Sequence, residues 1–177
     1  MQGFGLAAIA AGLALAGAAR AEVVDATPSG FQVTETAEIA APAEKVWTSL
    51  SRIDRWWSST HTWSQNAANL YLGLTRDGEM RENLPHDGYV RHLRVIYLDP
   101  GKEVIFDGTL GPLIRSGAVG HLDWKLTEQN GHTTFTQTYY VGGYYPGGFD
   151  KLAPVVDRVL GEQLGRLKSY VETGKPA

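Results

Sequence analysis

The chain has 177 residues, with 16 Lys and Arg against 19 Asp and Glu, a formal net charge of −3 and no long run of either sign. A mildly acidic, evenly patterned chain is not built to track a phosphate backbone, so nucleic acid is not an expected partner. Zero Cys excludes disulfides, thiol catalysis, thiolate metal sites and an N-terminal lipidated Cys.

Residues 3–19 are almost wholly Ala, Gly, Leu, Ile and Phe, and Ala19-Arg20-Ala21 before Glu22 fits an A-x-A cleavage site. The pattern predicts a secretory signal peptide over residues 1–21, hence a secreted or periplasmic protein with no stable membrane insertion after cleavage. No Lys or Arg precedes Arg20, so the amino terminus alone supplies positive charge to the leader. The alternative is a retained anchor, against which the apolar run falls short of the ~20 residues a span needs. Residues 22–30, with Pro28, read as a flexible leader into one domain.

Phe31, Val33, Ala37 and Ile39 alternate with Gln32, Thr34, Thr36 and Glu38, which predicts a half-buried strand. Pro42 then opens a short helix that turns Ala43, Val46, Trp47 and Leu50 inward, closed by Ile53-Asp54-Arg55-Trp56-Trp57. Residues 58–69 are polar and without period, a loop over one end of a sheet. Leu70–Leu74 and the run through Met80, Glu82 and Leu84 form a hairpin with Asp77-Gly78 as the central turn residues. Asp87-Gly88 turns into Tyr89–Leu98, Pro100-Gly101 turns into Val104–Leu110, and Asn130-Gly131 joins Val119–Thr127 to Thr133–Val141. Residues 111–117 and 142–148 connect.

From Asp150 to Thr173, Leu152, Val155, Val156, Val159, Leu160, Leu164, Leu167, Tyr170 and Val171 recur at i, i+3, i+4 and i+7. This predicts an amphipathic rod of roughly 35 Å, with Asp150 as its cap, Pro154 in its first turn and Gly174 as its stop. Gln163 interrupts the apolar face and needs a hydrogen bond, to a strand backbone or inside an internal cavity. Asp157, Lys168, Glu172, Gly161 and Gly165 fall on the opposite, charged side. The fold class is α+β: a curved antiparallel sheet of about seven strands wrapped around a long C-terminal helix, with one or two short helices after the first strand.

This order, with Ala41-Pro42-Ala43-Glu44-Lys45-Val46-Trp47 and Ile53-Asp54-Arg55-Trp56-Trp57 after the first strand, resembles the START-like (SRPBCC) superfamily. Within it, residues 31–173 are similar to the polyketide cyclase/dehydrase and Bet v 1-like group with the helix-grip fold. The resemblance implies a hydrophobic cavity between sheet and long helix. The group includes ligand carriers, cyclases and co-chaperone domains.

Glu82 lies between Met80 and Leu84 on the inward parity, so a carboxylate is expected to enter apolar space with its pKa raised, a candidate acid, base or ligand-binding anchor. His92 stands in a strand whose two parities are both mixed. Pointing inward, it could approach Glu82 as an acid–base dyad; with Leu93, Val95 and Tyr97 inward, the slightly favoured case, it is exposed. Trp57, Trp63, Phe106, Trp124, Tyr139 and Tyr144 are candidates for pocket lining or for plain core, and Gln163 is a candidate polar contact. The five His show no paired ligand spacing, so no metal and no cofactor are expected.

Three functions compete. The first is binding of a small hydrophobic or aromatic molecule, a lipid, quinone or polyketide-like compound. The second is a cyclase or dehydratase using Glu82 and His92 for proton transfer. The third is a protein-interaction module of co-chaperone type.

Overall fold

The structure, a computed structural model, describes residues 20–177. Most of the expected signal peptide lies outside the described residues. The expected flexible leader is instead largely a strand: Arg20–Thr27 forms β1, antiparallel to β2 (Gly30–Ile39), with Arg20 opposite Thr36 and Thr27 opposite Gly30. Its own sequence carries little strand pattern. The unpaired edge of β2 supplies the hydrogen-bonding partner that orders it.

β2 buries Phe31, Val33, Ala37 and Ile39, as its alternation predicts. Pro42 precedes α1 (Ala43–Leu50), and the Glu128 carboxylate accepts the free N–H of Ala43 at 2.8 Å. α1 buries Val46 and Leu50, and α2 (Ile53–Trp56) buries Ile53 and Trp56. These helices carry the chain to the far edge of the sheet.

There β3 (Leu70–Leu72), β4 (Glu79–Asn83), β5 (Tyr89–Asp99), β6 (Glu103–Gly108), β7 (Gly117–Gln129) and β8 (His132–Tyr144) run as an antiparallel meander. The order across the sheet is β1-β2-β8-β7-β6-β5-β4-β3. Sequence neighbours are spatial neighbours from β3 onward, whereas β2 pairs with the last strand, β8. Asn130-Gly131 both adopt positive φ between β7 and β8, the twist a two-residue hairpin requires. Two turns sit one residue earlier than expected: Gly78 N–H bonds Thr75 O and Gly88 N–H bonds Pro85 O, which leaves Arg76-Asp77 and His86-Asp87 as the central pairs.

The long helix, α3, spans Ala153–Thr173 and buries Leu160, Leu164, Leu167 and Val171. It ends at Gly174 in the left-handed conformation, whose N–H bonds Tyr170 O. Its start is later than Asp150, and Asp150 is not the cap. Phe149 O accepts the N–H groups of both Leu152 and Ala153, so a separate turn precedes the helix. An eight-stranded curved sheet gripping one long helix is the α+β helix-grip arrangement. Part of the space between them is filled: Trp124 packs against Phe106, Phe135 and Trp56 at centroid distances of 5.2, 5.9 and 6.3 Å. The remainder is not.

Candidate functional site

Between the N-terminal half of α3 and the sheet lies a cavity of about 440 Å³. Leu152 just before the helix and Val155, Val156, Val159 and Leu160 within it line one side, and Leu70, Met80, His92 and Tyr139 line it from the strands. Two loop segments, Thr60–Trp63 and Leu110–Leu113, complete the wall with Trp57. The surface is predominantly apolar, and its polar groups are few.

The alternation of β4 turns Met80 and Glu82 inward; Met80 lines the cavity, whereas Glu82, expected as a ligand contact, is wholly buried behind the wall and does not line it. Opposite them β5 contains a bulge: Met80 faces Leu93, Arg81 faces Arg91, and His92 is the extra residue. A bulge suspends the two-residue period, so His92 and Leu93 both turn inward, and both are buried. His92 is therefore not exposed. A second irregularity between Val95 and Tyr97 returns Tyr97 to the outside, where it is exposed.

Glu82 Oε2 accepts the Trp63 N–H at 3.1 Å and lies 3.2 Å from His92 Nε2, while Oε1 accepts the Ser64 N–H. Burial pushes this carboxyl up, but the hydrogen bonds from Ser64, Trp63 and His92 outweigh it and hold the pKa below the ordinary value. The expected rise is thus overturned, because burial here comes with donors. Burial drives the His92 pKa down more than the Glu82 contact raises it. The imidazole is neutral at neutral pH, and Nε2, facing a carboxylate, carries its proton. Nδ1 is left as a buried acceptor with no partner among the described residues.

Tyr139 is fully buried, and its Oη accepts the Leu110 N–H at 3.0 Å. Burial raises its pKa, so the phenol is un-ionised. Gly120 stands behind it: a Cβ there would come within 3.0 Å of the Tyr139 ring and 3.2 Å of its hydroxyl. The missing side chain is what lets the phenol occupy this position.

Side-chain contacts also hold the loops over the cavity. The Arg115 guanidinium lies 4.6 Å above the Trp63 ring, and His61 Nε2 is 3.0 Å from Glu162 Oε2 on α3. Trp57 donates its indole N–H to His61 O at 3.1 Å. Gln163 is buried but does not line the cavity. Its Oε1 accepts the Ser58 N–H at 2.8 Å, so its partner is the backbone of the loop over the sheet, neither a strand nor a cavity contact.

Of the proposed aromatic lining, Trp57, Trp63 and Tyr139 border the cavity. Phe106 and Trp124 do not, since they are packed into the filled part of the core. Tyr144 is 70% exposed: β8 continues through it, paired with Gly117, and the alternation that buries Tyr139 and Val141 turns Tyr144 outward. The sequence reading missed the Leu110–Leu113 segment, which has no period to reveal it. It also passed over Glu35, although the parity of Phe31, Val33 and Ala37 places it inward. Glu35 is fully buried with neither carboxyl oxygen hydrogen-bonded, and its pKa is raised to about 8 by burial and then by Asp157 on α3. Asp157, expected on the solvent side, has a buried unpaired oxygen of its own and also feels Glu22 of β1.

No curated protein matches the chain by sequence. Among solved structures it is similar to a conserved protein of unknown function, EF2215, from Enterococcus faecalis, at 18% identity and TM-score 0.59, covering 90% of this chain and 80% of that one. It is similar to CalU16 from Micromonospora echinospora at 13% identity and TM-score 0.57, covering 90% and 85%. It is also similar to BexL, a di-domain ARO/CYC from the BE-7585A biosynthetic pathway, at 14% identity and TM-score 0.55, covering 85% of this chain and 52% of that one. These likenesses establish the fold. A family model described as polyketide cyclase / dehydrase and lipid transport matches residues 30–172, the span of β2 through nearly all of α3. With the helix-grip architecture and the cavity beneath its long helix, the chain belongs to the polyketide cyclase / dehydrase and lipid transport family.

Proposed function

We propose that this protein binds a small, largely apolar molecule, a lipid, quinone or polyketide-like aromatic, in the cavity beneath α3. The observation that carries the reading is a space of about 440 Å³ walled mainly by Leu, Val, Met, Trp and Pro side chains, with a few fixed polar groups. Removing an apolar guest from water into such a space is favourable by about 25 cal/mol per Å² of its buried apolar surface. Thermal unfolding across a panel of apolar compounds tests it. A binder at 100 times its Kd stabilises the folded state by about 2.7 kcal/mol, a rise of several degrees. No shift with any member of a broad panel would count against the proposal.

A second reading, proton-transfer catalysis of cyclase or dehydratase type, is favoured by one observation, the 3.2 Å contact between Glu82 and His92. The carboxylate holds the proton on Nε2, which leaves Nδ1 as the basic nitrogen of the pair. Turnover of a cyclisable or dehydratable polyketide that vanishes in His92→Phe would support it. Unchanged turnover in that variant would remove the dyad from the mechanism.

We also propose that residues 1–21 direct export and that cleavage follows Ala21. Glu22 would then begin the mature chain within β1, leaving most of that strand to pair with β2. N-terminal sequencing of secreted protein should read Glu-Val-Val-Asp; a chain beginning at Met1 would overturn this.

A further inference from the structure

We infer that the guest is one compact apolar molecule of about eighteen non-hydrogen atoms, a single acyl chain or about three rings and not a two-chain lipid, and that Trp124, braced through Gln137 to Leu160, sets this limit by closing the inner end of the cavity. The inference deepens the binding reading above and rests on it.

An apolar cavity of about 150 Å³ holds one benzene, so a space of about 440 Å³ holds roughly three times as many atoms. A second acyl chain would have to enter the protein beyond Leu160. Along α3 the wall runs from Val155 to Leu160 and stops there: Leu164 and Leu167, next on the same stripe, are buried but do not border the cavity.

Two contacts place the filled core directly behind this end. Trp56, packed on Trp124, also packs against the wall residue Trp57 at a centroid distance of 5.6 Å. Gln137 on β8 accepts the Trp124 indole N–H at 3.2 Å and donates its own amide N–H to Leu160 O at 2.9 Å. A purely hydrocarbon filling can repack around a larger guest at modest cost. Here a shift of the indole breaks hydrogen bonds between buried groups, Trp124 at 1% and Gln137 at 4% exposure, and leaves their donors unpaired. The brace joins β7, β8 and α3, so the inner wall is held from three elements. The outer end is different. Thr60, His61 and Val155 border the cavity and are exposed, so atoms in excess of the limit emerge there into water and add no affinity.

The test measures how straight-chain fatty acids of about ten to about twenty carbons displace the neutral fluorophore N-phenyl-1-naphthylamine from the protein. Affinity should rise about fourfold per CH₂ while the chain still enters the cavity, then level off near about sixteen to eighteen carbons. Trp124→Leu and Leu160→Ala should each move that break upward by about two carbons or more, because each opens space at the inner end. Leu160→Ala removes no hydrogen bond and reads the same wall if Trp124→Leu does not fold. A steady rise through the longest acid in wild type would overturn the size limit while leaving the cavity reading intact. A break that stays in place in a folded variant would overturn the role given to Trp124. Binding of neither the fluorophore nor any acid would overturn the cavity reading and this inference with it.

Discussion

Glu82 Oε2 and His92 Nε2 lie 3.2 Å apart with both side chains shut away from solvent, the carboxylate at 0% exposure and the imidazole at 6%. The pair joins two adjacent strands at the point where β5 bulges, and it ties the loop over the cavity to β4 through the N–H groups of Trp63 and Ser64. Removing the carboxylate would leave these half-buried donors, and the buried His92 N–H, without their acceptor. Glu82→Ala should therefore cost about 3 kcal/mol or more in a urea-unfolding measurement, and Glu82→Gln, which keeps one acceptor, should cost less. Equal, sub-kcal/mol effects would show that the donors find water instead.

The same carboxylate makes stability sensitive to acid. Its folded pKa is depressed, so the stabilisation is present above the unfolded value and is lost as pH falls through the folded one. Wild type should lose stability on the acid side more steeply than Glu82→Gln. Parallel profiles below pH 5 would contradict this.

Glu35 predicts the opposite sign. Its folded pKa is about 8, under burial first and Asp157 second, against a partial downward pull from Gln137. Between the ordinary carboxylate value and about pH 8 the folded protein holds a proton that the unfolded chain has released, so stability declines as pH rises through that window. Glu35→Gln should flatten the decline and stabilise the protein at pH 8 by on the order of 2 to 4 kcal/mol. An unchanged slope would mean that Glu35 is ionised and solvated.

Gln163 anchors the start of the loop over the cavity, its Oε1 accepting the Ser58 N–H at 2.8 Å. Gln163→Leu should cost about 1 to 2 kcal/mol and speed amide exchange at Ser58 more than at core strands. Exchange that remains as slow as in wild type would place the loop's anchor elsewhere.

Much of this was legible from residue order alone. The parity of Phe31, Val33, Ala37 and Ile39 and the stripe from Leu152 to Val171 announced the sheet and the helix it grips, because period follows directly from which face is buried. His92 was not legible, since a bulge alters the period by one residue and depends on pairing with β4. β1 was hidden for a related reason: its order comes from the edge of β2 and not from its own pattern. Phe106 and Trp124 share the inward parity of Tyr139, and only depth along the helix separates filled core from cavity wall. Alternation reports the face a side chain occupies and carries no information about that depth.

The most direct test of a ligand-holding cavity is native mass spectrometry on protein purified from its own host, wild type beside Val156→Trp. Val156 lines the cavity from α3, and a Trp at this position places an indole where a guest would sit. The account predicts a small apolar adduct on wild type and its loss from a folded Val156→Trp variant. Wild type that is consistently empty, or an adduct that persists at full occupancy in the filled variant, would contradict it.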